Sequence, residues 1–439
     1  MKKVNKPVKA YKGFNKHMQC APNGKIFQYE IGKEYKEDEA NLCHCGFHAC
    51  ENPLDVLSYY NNIDDKFCEV ELDKIDPNRN KDSKICGKKI KIGIEIGFLG
   101  LFKAGIEWIK NKTIFTKEDF KKLPSGHNAK IGSSDYNAKI GSSDYNAKIG
   151  SSGDHAQISS SGDRARIGSS GNDAKIGSSG DGAKIGSSGD FAQIGSSGYN
   201  AKIGSSGNDA KIGSSGDDAK IGSSGDFAQI GSSGNDAKIG SSGNDAKIGS
   251  SGNRAQIGSS GYNAKIGSSG DGVKIGSSGD GAKIGSSGDH AQIGSSGDFA
   301  QINSSGYNAR IGSSGDFARI SSSGDRAQIG SSGDDAKIGS SGNRAQIGSS
   351  GYNAKIGSSG DDAKISSSGN DCVIMCAGIN SSAKAKIGSW ITLAEWKYSE
   401  EKQKYILFSV VTKQVDGIEI KEDVYYTLQD GKFKESEQQ

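Results

Sequence analysis

From Ile131 to Ile374 an isoleucine stands at every ninth position, 28 times without a gap or an insertion. Two positions before each Ile comes Ala, replaced only by Val273 and Cys372. Between these pairs runs a Gly-Ser-Ser-Gly stretch, as in residues 177–180. Apolar residues held in so strict a register predict a solenoid, in which each short unit buries its apolar face by stacking on its neighbours. Within Asp173-Ala174-Lys175-Ile176 the alternation predicts a short strand with Ala and Ile inward and Asp and Lys outward. Gly177 and Gly180 are then expected to supply positive φ in the turns, where the following Asp or Asn is also at home. Ala and Ile would be all that the interior receives, so two sheets facing across a thin core fit better than a wide prism.

The residues on either side follow different patterns. The N-terminal stretch mixes strand-like pieces with two helical ones. Asn52 is a candidate N-cap with Pro53 in the first turn. Phe98, Leu101, Phe102, Ile106 and Ile109 recur at helical spacing over residues 98–110. After the repeats, alternation predicts strands at Ile391–Leu393, Tyr405–Val411 and Val424–Leu428, with Asp416-Gly417 and Asp430-Gly431 as turn signals. The expected architecture is mostly β. It places an α+β domain at residues 1–125, a nonapeptide-repeat β-solenoid at 126–376 and a C-terminal antiparallel meander acting as a cap at 377–439.

Composition narrows the reading. Gly reaches 65 of 439 residues, which alone would suggest a flexible linker, but a linker has no need of apolar residues in register. Collagen is excluded because the period is nine and Gly does not fill every third position. The formal net charge is only +3, and within the repeats Lys and Arg nearly balance Asp. A nucleic-acid groove wants a basic stripe, so nucleic acid is not the expected partner. No apolar segment follows Met1-Lys2-Lys3 and no run reaches membrane-spanning length, so the expected location is the cytoplasm. Six of the eight cysteines fall in the first ninety residues, and there they read as reduced thiols.

The position before each Ala varies most. When it is Asp, Asn or Gly, Lys usually follows the Ala; when it is Phe, His or Arg, Gln usually follows. If both positions shared one face of a strand, Asp–Lys attraction would contribute ~0.2–1 kcal/mol. Phe191, Phe227, Phe299 and Phe317 are separated by even multiples of nine, and so are Arg164, Arg254, Arg326 and Arg344, on the opposite parity. Two repeats per coil would put the Phe set on one face and the Arg set on the other. Eighteen residues per coil implies about 14 coils and a rod of roughly 65 Å, at ~4.8 Å per coil. These eight side chains are the candidate binding face.

Three motifs bear on chemistry. Gly-Ser-Ser-Gly-Asn-Asp-Ala-Lys-Ile resembles the calcium-binding nonapeptide of repeats-in-toxin proteins. Its apolar residues fall at positions seven and nine, however, and Asp holds the sixth position in only eight of 28 repeats. Calcium needs several converging oxygens, so an Asp in a turn is the better account. Cys43, Cys45, His48 and Cys50 could supply zinc ligands, although their spacing matches no standard knuckle. The competing reading is a set of small buried thiols beside a structural His. The paired serines most simply fill turns. No complete catalytic set can be named.

At its two ends the chain resembles a family of uncharacterised phage and prophage proteins. The matching residues are Tyr11-Lys12-Gly13-Phe14, Gly32-Lys33-Glu34-Tyr35, Gly46-Phe47-His48-Ala49-Cys50, Pro53-Leu54-Asp55-Val56, Lys91-Ile92-Gly93, Leu393-Ala394-Glu395-Trp396, Tyr425-Tyr426-Thr427-Leu428 and Asp430-Gly431. In that family a terminal domain, split between the two ends, flanks a repeat of variable length. The resemblance implies a mobile-element origin and brings no assigned activity. Small phage accessory proteins without enzymatic motifs often act by binding, so the expected role is non-enzymatic: binding a host macromolecule, such as a protein of a bacterial defence system, through the solenoid and its caps. A homo-oligomer is compatible with this. A second likeness rests on Lys12-Gly13-Phe14, on Gly46-Phe47-His48-Ala49 ahead of Tyr59-Tyr60, and on Phe67-Cys68-Glu69-Val70-Glu71-Leu72. Their order is similar to that of ADP-ribosyltransferase folds. It implies a degenerate nucleotide-binding domain on a solenoid stalk, since the catalytic trio of that fold cannot be placed here.

Overall fold

The computed structural model describes residues 7–21, 26–60, 64–78, 83–113 and 127–436. It is 46% strand and 4% helix, built on a parallel β-solenoid of about 15 turns and a small N-terminal domain with an antiparallel sheet. The chain divides into two compact units, Met1–Ala237 with Gly249–Ser251, and Lys238–Ile248 with Gly252–Gln439. Among the described residues no helix is long and apolar enough to cross a membrane.

In the first unit, the N-terminal domain is built from β1 (Val8–Phe14), β2 (Glu34–Lys36), β3 (Phe47–Cys50), β4 (Lys66–Ile75), β5 (Lys84–Glu95) and helix α1 (Gly97–Thr113). The sheet order is β2-β5-β3-β1-β4, and β5 also pairs with β4, so the sheet curls back on itself. It encloses Phe14, Val70, Leu72, Ile85, Ile90 and Ile92, all but absent from the surface. The short helix predicted at Pro53 is a 3-10 helix, Pro53–Ser58, with the Asn52 side chain accepting the Leu54 N–H at 3.2 Å.

The coils of this unit carry four-residue strands that pair in parallel with the strand eighteen residues on, as Lys175↔Gln193 and Ile176↔Ile194. Each coil therefore holds two repeats. Ala174 and Ile176 are fully buried, as predicted.

The frame of the strand differs from the expected one. It runs Lys175–Ser178, not Asp173–Ile176, and Asp173 lies before it with φ 57°. The first half of Gly-Ser-Ser-Gly therefore finishes the strand instead of turning. Alternation from Ile176 points Gly177 out and Ser178 in, and Ser178 is 1% exposed, so the interior receives Ser as well as Ala and Ile. Gly180 is not a positive-φ residue either. A Cβ there would stand 2.1 Å from the carbonyl oxygen of Gly162 in the preceding coil, so this glycine serves close backbone approach. With Asp173 outside the strand, the expected same-face pairing with Lys175 does not apply; side-chain neighbours on the rim are eighteen residues apart.

In the second unit the same register holds, as Lys274↔Gln292 and Lys283↔Gln301. Parallel pairing extends into Ser382–Lys384 and into β6 (Trp390–Ser399). The C-terminal strands form two hairpins, one on each ladder, where a single meander was expected. β6 pairs antiparallel with β7 (Lys404–Gln414), and β8 (Tyr426–Gln429) with β9 (Lys432–Glu435). Two ladders present two edges, and each edge takes its own hairpin. Asp430 and Gly431 both have positive φ, 50° and 70°, as the tight turn between β8 and β9 requires.

Candidate functional site

The rim of the coils is where the sequence varies and where the backbone is most constrained. From Asn128 to Asp371 every residue in the slot before Ala has positive φ: 54–68° throughout. Its N–H donates to a carbonyl of the next coil whatever the side chain, as Phe191 N to Asn208 O at 2.9 Å and Arg344 N to Asp361 O at 2.7 Å. Gly, Asn and Asp suit this left-handed conformation, and Gly182, Gly272 and Gly281 occupy it. Phe191, Phe227, Phe299 and Phe317 adopt it too, at φ 57–59°, as do Arg164, Arg254, Arg326 and Arg344 at 56–57°. For such residues the conformation costs about 1–2 kcal/mol. The four Phe side chains stay 48–58% exposed, so burial returns less there than at an enclosed core position.

Within each unit the two sets take opposite rims. In the first, Phe191 and Phe227 lead into strands of the ladder Lys175, Gln193, Lys211, Gln229, while Arg164 leads into the other ladder. In the second, Phe299 and Phe317 lead into neighbouring strands, and their rings stack at 5.0 Å and 6°. Arg254, Arg326 and Arg344 precede strands of the facing ladder. Arg326 lies over the Tyr307 ring at 5.6 Å, and Arg344 Nε is 3.7 Å from Asp362.

One residue earlier, Asp and Asn have a structural task. The Asp154 carboxylate accepts the Asn172 N–H at 2.8 Å, and Asn172 Oδ1 accepts that of Asp190 at 2.9 Å. These oxygens serve the backbone of the next coil, which accounts for the turn acids without calcium.

The Cys-His cluster is dispersed by strand geometry. Among the described residues no group of three or more His, Cys, Asp or Glu side chains could share a metal ion. Cys43 is exposed in a turn, and its N–H donates to His48 Nε2 at 2.9 Å. On β3, Phe47 and Ala49 enter one core and Cys50 the other. Burial, with the nearby charges of Lys12 and Lys84, lowers the His48 pKa to about 4. Burial also pushes the thiols of Cys68 and Cys86 up, to about 12 and about 11, which makes them poor nucleophiles. Elsewhere in the domain Lys12 is buried on β1 and donates to His48 O at 2.9 Å. The space over Gly13 is taken by the Tyr60 ring, which a Cβ would approach to 2.4 Å.

Residues 8–104 match the family described as Domain of unknown function (DUF7666). The matched segment spans β1 to β5 and reaches into α1. Neither the curated proteins nor the solved structures contain a match to the chain. Several motif residues inside the matched segment are explained by packing. Gly46, at φ 89°, lies where a Cβ would meet Cys86 Sγ at 2.8 Å. The C-terminal motif lies outside it. There the buried Glu395 accepts the N–H groups of Asp430 and Gly431 at 3.0 and 2.8 Å, tying the β8–β9 turn to β6. Desolvation would raise its pKa, but the N–H groups of Gly431 and Asp430 outweigh it and hold the carboxyl below its usual range.

One feature escapes sequence reading. Helix α1 lies along the outward face of the first unit's coils, over a row of strand glycines. A Cβ on Gly195 would meet Ile106 at 3.3 Å, one on Gly231 would meet Phe102 at 2.8 Å, and one on Gly249 would meet Phe98 at 2.8 Å. Beside this row Asn52 Nδ2 donates to Gln193 Oε1 at 2.9 Å, and Lys175 lies 5.0 Å above the Trp108 ring. The signal was present in two halves: apolar residues four apart on α1, and Gly recurring eighteen apart in the repeats.

Proposed function

We propose that the protein is a non-enzymatic binding scaffold of phage type, whose solenoid rim engages a host protein, such as a component of a bacterial defence system. The observation that supports this is the placement of Phe and Arg at left-handed turn positions. The same slot accepts Gly and Asn at lower cost, so the backbone has no use for a phenyl or guanidinium group there. Exposed aromatic and Arg side chains are the residue types that anchor protein interfaces. The phage assignment rests on the resemblance of the chain ends, and the defence target on that origin.

The test is affinity capture from lysates of several bacterial hosts, with the wild-type chain beside a variant carrying Phe191→Asn, Phe227→Asn, Phe299→Asn and Phe317→Asn. The wild type should recover a stoichiometric protein partner, and the variant should lose it. No partner in any host, or equal recovery by both, contradicts the proposal.

A further inference from the structure

Gly holds the third strand position in 23 of the 28 repeats, the exceptions being Ser159, Asn303, Ser321, Ser366 and Met375. Two of these five stand side by side in the second unit, because Asn303 pairs in register with Ser321. The fold does not call for them. In the flanking strands Gly285 and Gly339 hold the same position, and a Cβ at either would meet nothing within 4 Å. A third departure joins the pair. Two residues after the Phe slot stands Gln at Gln193, Gln229 and Gln301, but Arg319 takes that place after Phe317. Register then sets Gln301, Arg319, Lys337 and Lys355 in one row across the strands Gln301–Ser304, Arg319–Ser322, Lys337–Ser340 and Lys355–Ser358. By alternation Asn303 and Ser321 share the outward face of that row. All six residues line one shallow depression of 460 Å³.

The depression is rich in donors and positive charge. Arg319, Lys337 and Lys355 stand directly opposite one another on neighbouring strands, an arrangement that like charges disfavour. Among the described residues none of the three is paired with a carboxylate. The acids of the adjacent rim serve the frame instead. Asp298, Asp316 and Asp334 accept backbone N–H groups of the next coil at 2.9, 2.8 and 2.7 Å, and Asp335 accepts from Asn353 Nδ2 at 2.5 Å. Ser321 Oγ donates to Asn303 Oδ1 at 2.5 Å, which fixes the Asn303 amide and leaves its Nδ2 donors without an acceptor among the described residues. We propose that this face binds a small ligand bearing phosphate. The Arg319 guanidinium takes two of its oxygens as a fork, Lys337 and Lys355 supply charge, and Asn303 Nδ2 donates to a further oxygen. The bound anion also relieves the repulsion within the row. The site lies on the sheet face and is independent of what the rim binds.

Titration of the full chain with pyrophosphate at low ionic strength, read by calorimetry and phosphorus NMR, is the test. The wild type should bind saturably at one site per chain. Arg319→Gln and Asn303→Gly each restore the residue that other repeats carry, so both variants keep the coils. The first should weaken binding at least about tenfold and the second about threefold. Arg310→Gln removes the same charge from the facing ladder and should leave the affinity unchanged. A nucleoside diphosphate titrated alongside identifies the source of the phosphate: tighter binding assigns the ligand to nucleotides, equal or weaker binding to free phosphates, and both support the site. Absence of saturable binding overturns the proposal. So does an equal loss in Arg310→Gln, which would mark a general attraction of anions to the coils.

Discussion

Inside the coils Ala, Ile, the first Ser of each pair and the Gly after the second recur with little change. At the rim the residue before each Ala is in turn Asp, Asn, Gly, His, Phe or Arg. Both regions have a fixed backbone. What differs is the space around the side chain. Ala174 and Ile176 are enclosed on every side, and the Gly180 position is closed by a carbonyl of the neighbouring coil. At the rim the slot N–H is satisfied by the next coil, as at Phe191 and Arg344, while the four Phe side chains stay about half exposed. Stacking thus specifies the interior and leaves the rim free to carry different side chains on a constant frame.

The comparison can be broken most sharply at two glycines of one repeat. At Gly207 a Cβ would sit 2.0 Å from the carbonyl oxygen of Gly189. Gly207→Ala should cost ~3 kcal/mol or more, read as a lower midpoint in denaturant unfolding. An unchanged midpoint would mean that the coils can spread. Next in size is Ser196→Ala. Ser196 is fully buried and its hydroxyl has no hydrogen-bond partner. Removing that hydroxyl should stabilise by about 1 kcal/mol, and a loss of stability in the same assay would show that the hydroxyl does useful work. The smallest effect is expected at Gly204, where a Cβ would meet nothing within 4 Å. Gly204→Ala should be neutral or stabilise by about 0.4–1 kcal/mol, chiefly by restricting the unfolded chain. Thermal melting of Gly204→Ala and Gly207→Ala side by side separates the two kinds of glycine.

The period, the inward Ala and Ile, and two repeats per coil were all legible in the sequence, because apolar residues in register have one simple explanation. The frame of the strand was not. Ala-x-Ile fixes which side chains point inward, but it does not say where the hydrogen-bonded ladder begins. Nor can identity alone separate Gly177, at an outward strand position, from Gly180, held against a carbonyl. The inward Ser178 was missed because serine suits turns as well as tight interiors. Density of ligand-type residues says little by itself at Cys43–Cys50, because a short strand and a turn send neighbouring side chains in different directions. The seat of α1 was hidden for another reason. A row of glycines exists only after residues eighteen apart have been brought side by side. The Phe and Arg parity was readable as a pattern, while its energetic meaning needed the left-handed backbone.

The central claim is that the rim side chains are displayed at a cost to the fold. It is tested most directly by the unfolding free energy of the chain carrying Phe191→Asn, Phe227→Asn, Phe299→Asn and Phe317→Asn. Asn tolerates the left-handed conformation better than Phe, and the four positions are about half exposed, so this variant should be at least as stable as the wild type. A clear loss of stability would show that the phenyl rings hold the coils together, and would contradict the account.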